Sequence, residues 1–377
     1  MEFQIDSSVF LKALAILMKS CEKKLGQNGQ GYYRLELTPE SLAISVLSLE
    51  GRVEIVVPVM GGEVYSCLLP ADDLLNILKG IPKDTLSFRT MVNRMSIQHR
   101  TTTFTVNMLT DLSIYREDPS VGEKRTVNRF PMADFLSGIG FAMPFVSTSQ
   151  SEVASTGVLI VYNGEKLVFV SFGRYAMAVR EVGCPGGEPF SMYLSLSAAK
   201  SLRSLAACGG AMIEVEVGEG VARFVGDTCS LVTLQKAQKA PNYKSVIPQS
   251  YPYIMEIGYA DLEVPVKRAV RMSVSDEPFL NWDVRMDSLT VTKSNIKKEF
   301  QAVDTLACSY PGPDMSMNLN AKYMLYAMTA LPNKETVHVH LLSTNRLVLF
   351  ESPKAEDDKV KVTDKLYLQP FLPIQDY

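Results

Sequence analysis

Six short amphipathic stretches recur along this chain of 377 residues at intervals of 60 to 65 residues. They begin at Ser7, Pro70, Pro131, Ser195, Ala260 and Asn320 and read SSVFLKALAILMKSCEKK, PADDLLNILKGIPK, PMADFLSGIGFAMP, SLSAAKSLRSLA, ADLEVPVKRAVR and NAKYMLYAMTAL. Apolar residues return every three or four positions, the period of one helix face. Most open on Ser, Asp, Asn or Pro, which accept from unpaired N–H groups or pre-set φ at a helix start, and four end near Gly or Pro. Between them lie RVEIVVPV, TTTFTVNML, KLVFVSF, MIEVEV, SLTVTKS and VHVHLL. Their β-branched content and alternation predict half-buried antiparallel strands, with Asn163-Gly164 as a hairpin turn. One helix plus several strands cannot cover both its sheet face and its helix stripe alone. The repeats should therefore pair, giving an α+β chain of three domains with two units each, every domain packing two helices on antiparallel sheets.

The joins fall where that pairing needs them. Arg116 to Thr126 (REDPSVGEKRT) and Pro248 to Pro252 (PQSYP) are polar or Pro-containing breaks, so the expected domains are residues 1–122, 127–247 and 250–377. Hydrophobic residues at 46% and charged ones at 21% predict packed cores rather than disorder. The scattered cysteines, Cys21, Cys67, Cys184, Cys208, Cys229 and Cys308, include no CxxC pair, and they read as buried thiols of a reducing cytosol. Lys12 and Lys19 interrupt the first apolar stretch, which argues against a secretory leader or a membrane span and for a cytoplasmic protein without membrane partners.

The net charge of −3 gives no sign of nucleic-acid binding by itself. Its distribution does. The six helical windows, the last taken on to Lys334, together carry +7 and the remaining residues −10, so basic helices in an acidic chain could face a phosphate backbone. Lys12, Lys19, Lys23, Lys24, Lys200, Arg203, Lys267 and Lys322 are the candidates for contact with double-stranded DNA. Lys and Arg are also good helix formers, and for any one helix a solvated face explains them better than DNA contact does.

No catalytic or metal-binding constellation is apparent, and no cofactor is expected. His338 and His340 share a strand face without an evident third ligand, and Gly26 to Gly31 (GQNGQG) lacks the Lys-Ser/Thr ending of a phosphate loop. Asp72 and Asp73 are adjacent, so they diverge by about 100° on a helix and suit its acid-favouring first turn. A non-enzymatic binding protein is the expectation.

Several segments, in order, resemble the beta subunit of bacterial DNA polymerase III, the sliding-clamp family. Ala240 to Pro248 (APNYKSVIP) is similar to the family's join between its second and third domains, and Met317 to Leu331 to its last helix. LLPADDLLNILKGIPKDTLSF is similar to its second helix and the strand after it, and His99 to Leu109 (HRTTTFTVNML) to the following edge strand. The resemblance implies three like domains closed head to tail as a homodimeric ring around DNA, tethering a DNA polymerase and loaded by a separate clamp loader. It implies a subunit contact with Phe104 and Val106 on one side and Arg271 and Met272 on the other, Arg271 standing where the family has an aliphatic residue. It further implies a partner-peptide groove at Tyr175, Met177, Pro241, Val246, Asn320, Tyr323, Pro370 and Phe371. Here Tyr175 and Ala176 replace the family's His and Arg, and the C-terminus runs on past the usual ending. The alternatives are a clamp-like hub for repair or mobile-element replication, and an unrelated α+β enzyme whose site has no recognisable motif.

Overall fold

The computed structural model describes residues 2–21, 31–147, 156–273, 279–295, 300–353 and 362–371. Lys23 and Lys24 lie outside them. All six expected helices form: α1 (Ser7–Met18), α2 (Ala71–Leu78), α3 (Met132–Ala142), α4 (Leu196–Ser204), α5 (Tyr259–Met272) and α6 (Ala321–Ala330).

Each helix follows a strand without an intervening loop, and the last strand residue is the turning point: Asp6, Pro70, Pro131, Ser195, Gly258 and Asn320. At three of these the side chain caps the helix. Asp6 accepts from the amides of Ser8 and Val9, Ser195 from Ala198, and Asn320 from Lys322 and Tyr323. Each such cap satisfies amides that the helix's own hydrogen bonds leave unmet. Three helices are shorter than the amphipathic pattern suggests. α1 stops at Met18 rather than Lys24. α2 ends at Leu78, because Gly80 at φ +79° and Pro82 cannot continue it. α3 tightens after Ala142 into a 3-10 turn, Met143–Phe145, which contains Pro144.

The chain divides into two compact units, Met1–Ile139 with Tyr162–Gly164 and Pro185–Ala237, and Gly140–Val161 with Glu165–Cys184 and Gln238–Tyr377. The first unit holds a four-stranded sheet in the order Glu2–Asp6, Thr85–Met91, Arg94–His99, Thr102–Asn107. Its eight-stranded sheet runs Tyr65–Pro70, Tyr32–Leu37, Ser41–Leu47, Gly51–Pro58, Cys229–Leu234, Val221–Val225, Met212–Val217, Thr126–Pro131. Gly51–Pro58 and Cys229–Leu234 pair antiparallel, so residues from the first two expected domains share one sheet. The segment after Tyr115, expected to be a plain linker, is tied down: Asp118 pairs with Arg52 at 2.6 Å and the Tyr115 hydroxyl lies 3.2 Å from that of Ser45.

In the second unit the strand order runs Lys166–Phe172, Ala176–Gly183, Val362–Leu368, Val348–Glu351, Thr336–Leu341, Tyr253–Gly258, Phe300–Ser309, Ser288–Asn295, Phe279–Val284, Met315–Asn320. Trp282, Met317, Met324 and Met328 are fully buried at its core. The strands Tyr253–Gly258 and Phe300–Ser309 meet only at Glu256 with Ser309 and Ile257 with Cys308. Most of Phe300–Ser309 therefore has no strand on that side among the described residues. α5 contains Pro265, which is buried and lacks an amide hydrogen to donate within the helix. Among the cysteines only Cys67 and Cys229 are buried, and the other four are partly exposed, which corrects the expectation of six buried thiols. Burial pushes the Cys67 thiol up to about 12.

Candidate functional site

Aromatic side chains gather in the second unit around residues that lie far apart in sequence. The Tyr175 ring meets Phe371 at 5.3 Å and Phe279 at 5.4 Å, both edge to face, and lies 6.4 Å from Tyr323. Phe279 and Phe371 touch at 5.8 Å, and Tyr323 continues the cluster to Phe145 at 6.2 Å and Tyr326 at 6.0 Å. Edge-to-face rings of this spacing attract each other beyond their area burial. Tyr175, Phe279, Tyr323 and Phe371 are all only partly buried, so the cluster reaches the surface. The guanidinium of Arg174, itself exposed, lies 5.3 Å from the Tyr175 ring.

Backbone hydrogen bonds fix these rings. Asn318 and Phe371 exchange amide and carbonyl bonds at 2.7 and 2.9 Å, and Gln369 donates its amide to the Tyr175 carbonyl at 2.9 Å. The Gly173 amide closes the turn that presents Arg174 and Tyr175 by donating to the Ala176 carbonyl at 2.8 Å. Tyr323 stands on the first turn of α6 because Asn320 caps that turn.

Of the eight expected groove residues, Tyr175, Tyr323 and Phe371 meet directly. Pro370 is buried beside Phe371. Met177 is 4% exposed and lies inside the sheet, opposite Phe172 and Tyr367, so its side chain is core. Asn320 is 2% exposed and its carboxamide oxygen is engaged in capping. Pro241 and Val246 flank the 3-10 turn Tyr243–Ser245, with Val246 54% exposed, and neither has a ring to add to the cluster. Phe279, Phe145, Tyr326 and Arg174 went unnoticed in the sequence. The one available signal was Phe279 opening a strand, and it does not say that the strand's first residue sits opposite Asn320.

The expected DNA-facing side chains Lys12, Lys19, Lys200, Arg203, Lys267 and Lys322 are all exposed. Lys267 is neutralised by Glu263 one turn earlier, at 2.8 Å. At the expected subunit contact, Phe104 is half-buried but Val106 is 3% exposed, packed within its own unit. The apolar side of that strand is thus presented by Phe104 alone. Arg271 is exposed and Met272 partly so, at the end of α5.

His338 and His340 each face a carboxylate, Glu256 at 3.4 Å and Glu351 at 3.2 Å. Among the described residues no three His, Cys, Asp or Glu side chains converge as a metal site would require. A hollow of about 530 Å³ in the first unit is lined by Glu2, Gly62, Glu63, Arg89 and Thr90. Its Glu2–Arg89 pair, at 2.9 Å, is open to solvent, unlike the enclosed apolar cavity in which acids are tuned for catalysis. Among the described residues no helix is long and apolar enough to cross a membrane.

Residues 244–365 match the family model of the DNA polymerase III beta subunit, C-terminal domain. End to end, the chain is 20% identical over 385 residues to the beta sliding clamp of Streptomyces coelicolor, covering all of this chain and 99% of that protein. Its fold is similar to the crystal structure of the DNA polymerase III beta subunit of Thermotoga maritima, with a TM-score of 0.87 at 14% identity over 98% of this chain and 99% of that one. It is equally similar to the Pseudomonas aeruginosa sliding clamp bound to griselimycin, with a TM-score of 0.87 at 17% identity and the same coverage.

Proposed function

We infer that this chain, a divergent member of the bacterial DNA polymerase III beta subunit family, acts as a DNA sliding clamp. The observation that carries this reading is the end-to-end match: sequence and fold follow sliding clamps over essentially the whole chain, with a TM-score of 0.87. In this reading residues 1–122, 127–247 and 250–377 are three like domains, and two copies close head to tail around duplex DNA. Six strand-cap-helix junctions in one chain support that division.

The mechanism is topological rather than chemical. Exposed Lys12, Lys19, Lys200, Arg203 and Lys322 would make weak, screened, sequence-independent phosphate contacts that let the ring slide. Closure, not grip, keeps it on DNA. The surface-reaching cluster of Tyr175, Phe279, Tyr323 and Phe371 is proposed as the anchor site for a short peptide of a polymerase or another partner. Rings bury large area with few rotatable bonds, which suits a compact peptide site. A tethered polymerase then meets the primer end at high effective concentration, which is processivity. Opening the ring falls to a separate clamp loader, and the protein works in the cytoplasm as a binding ring without catalysis.

The test is retention on DNA of defined topology. Loaded onto a nicked circle, the protein should stay bound at a salt concentration that strips ordinary DNA-binding proteins, and it should run off after linearisation. Equal retention on circle and line, tracking salt alone, would overturn the proposal.

A further inference from the structure

In the first unit the turn that follows α4 packs on the start of a strand, and each carries a cysteine. α4 runs on through a 3-10 turn, Leu205–Ala207, and the next residue, Cys208, donates its amide to the Leu205 carbonyl at 2.9 Å. Gly209 and Gly210 then turn the chain at φ of +79° and +125°, a region that favours glycine. Their turn lies against the hairpin Gly226–Cys229, which the Gly226 amide closes by donating to the Cys229 carbonyl at 2.8 Å. The approach is close. A Cβ at Gly210 would come within 3.2 Å of the Asp227 carboxylate, and one at Gly226 within 3.1 Å of the Cys229 sulfur. Met132 fills the space beside both glycines, its sulfur 3.2 Å from the first position and its methyl 3.7 Å from the second.

This packing brings two thiols together, and Cys229 donates a side-chain hydrogen bond to Cys208. Their surroundings differ. Cys229 is 4% exposed at the first rung of its strand, opposite Ile55, whereas Cys208 is partly exposed between the exposed Ala207 and Gly209. The bond from Cys229 holds the Cys208 thiol below its ordinary value against the effect of burial, and the Lys12 ammonium on α1 adds to it. Donating that bond pushes the Cys229 thiol up, with burial and the Asp227 carboxylate acting in the same direction. Burial likewise pushes the Cys67 and Cys308 thiols up. Reactivity follows thiolate character and access, so Cys208 is placed to attack and Cys229, protonated and behind it, to resolve.

We propose that Cys208 and Cys229 are an oxidisable dithiol that closes to an internal disulfide by exchange with a small-molecule disulfide. Cys208 first loses its proton to solvent. Its thiolate attacks one sulfur of the small disulfide, breaks the sulfur–sulfur bond and expels the other half as a thiolate, leaving a mixed disulfide on Cys208. Cys229 then gives up its proton, attacks the Cys208 sulfur and expels the second half. Two protein thiols lose two electrons and two protons, and the small disulfide takes up both and leaves as two thiols. The new bond ties the end of α4 to the strand that pairs with Gly51–Pro58. The site needs neither DNA nor a second copy, so it stands or falls apart from the proposed clamp function.

The experiment exposes reduced full-length protein to oxidised glutathione, quenches with acid, alkylates the remaining thiols and maps the peptides by mass spectrometry. The expected product is a peptide pair linked through Cys208 and Cys229 that dithiothreitol separates. Cys229→Ser should halt the exchange at its first step and carry one glutathione on Cys208, whereas Cys208→Ser should carry none on Cys229. A second measurement leaves both cysteines in place, so it survives a misfolded Cys229→Ser variant. The pH at which iodoacetamide alkylates Cys208 at half its maximal rate should lie below the ordinary thiol value of about 8.5 and move upward in Lys12→Met. A stable glutathione adduct on Cys208 of the unmodified protein would put Cys229 out of reach and overturn the proposal. So would a Cys208 that stays free while Cys21, Cys184 or Cys308 reacts, or one whose alkylation midpoint lies at or above the ordinary thiol value.

Discussion

Tyr323 shows how much one side chain depends on its neighbours. It stands on the first turn of α6, where Asn320 caps the helix, and its ring bridges Tyr175 on one side and Phe145 and Tyr326 on the other. Removing a central aromatic anchor from a peptide site typically costs about 2 kcal/mol or more. Tyr323→Ala should therefore weaken binding of a polymerase peptide about 30-fold or more, while the oligomeric state stays that of the unmodified protein. Fluorescence anisotropy with a labelled peptide and light scattering on the same sample check both halves. Unchanged affinity in an intact assembly would remove the aromatic cluster from consideration as the peptide site. The sequence alone made Tyr323 a candidate through the resemblance of its helix. It could not single out Tyr323 over Asn320 or Met177, because capping and burial are decided by which strand lies alongside. Met177 carries the same apolar chemistry as a groove residue, but its place in the ladder between Phe172 and Tyr367 turns it inward.

At the scale of elements, the join of Ala176–Gly183 to Val362–Leu368 brings Arg180 to a partner 184 positions away. Arg180 forks onto Asp364 with two 2.6 Å hydrogen bonds, and its guanidinium lies 4.3 Å from the Phe141 ring. Both side chains are mostly shielded, at 16% and 14% exposure. Removing one partner of a shielded pair leaves the other charge uncompensated and costs about 3 kcal/mol. Asp364→Ala should lower the thermal midpoint clearly, whereas Arg180→Met/Asp364→Leu, which removes both charges, should recover most of the loss. Differential scanning calorimetry separates the outcomes. Equal midpoints for the single variant and the unmodified protein would mean that the pair is stabilised no more than an exposed one. The helices themselves are legible in the sequence, since a period of 3.6 is a local signal that survives in α1 through α6. The partnership of Arg180 with Asp364 was not, because nothing in either strand encodes a neighbour 184 positions away.

For the whole molecule, the proposed function depends on closure, and Phe104 is the side chain that tests it. Phe104→Asp puts a charge on the apolar side of Thr102–Asn107, where burial against a second copy would strand it. The variant should be folded by circular dichroism, monomeric by light scattering, and lost from circular DNA as quickly as from linear DNA. A folded variant that remains dimeric would place the subunit contact elsewhere.

What the sequence determined by itself was the repeat: six amphipathic helices, the strands between them and an acidic chain with basic helices, all written in residues a few positions apart. The tertiary structure decided which of these residues meet. It turned Val106 and Met177 inward, committed Asn320 to a cap, bound Lys267 to Glu263, and drew Phe279 and Phe145 into a ring cluster with Tyr175, Tyr323 and Phe371. The reason is physical. Local backbone preferences and hydrophobic period depend on near neighbours, whereas burial and strand register depend on contacts between segments that only folding brings together.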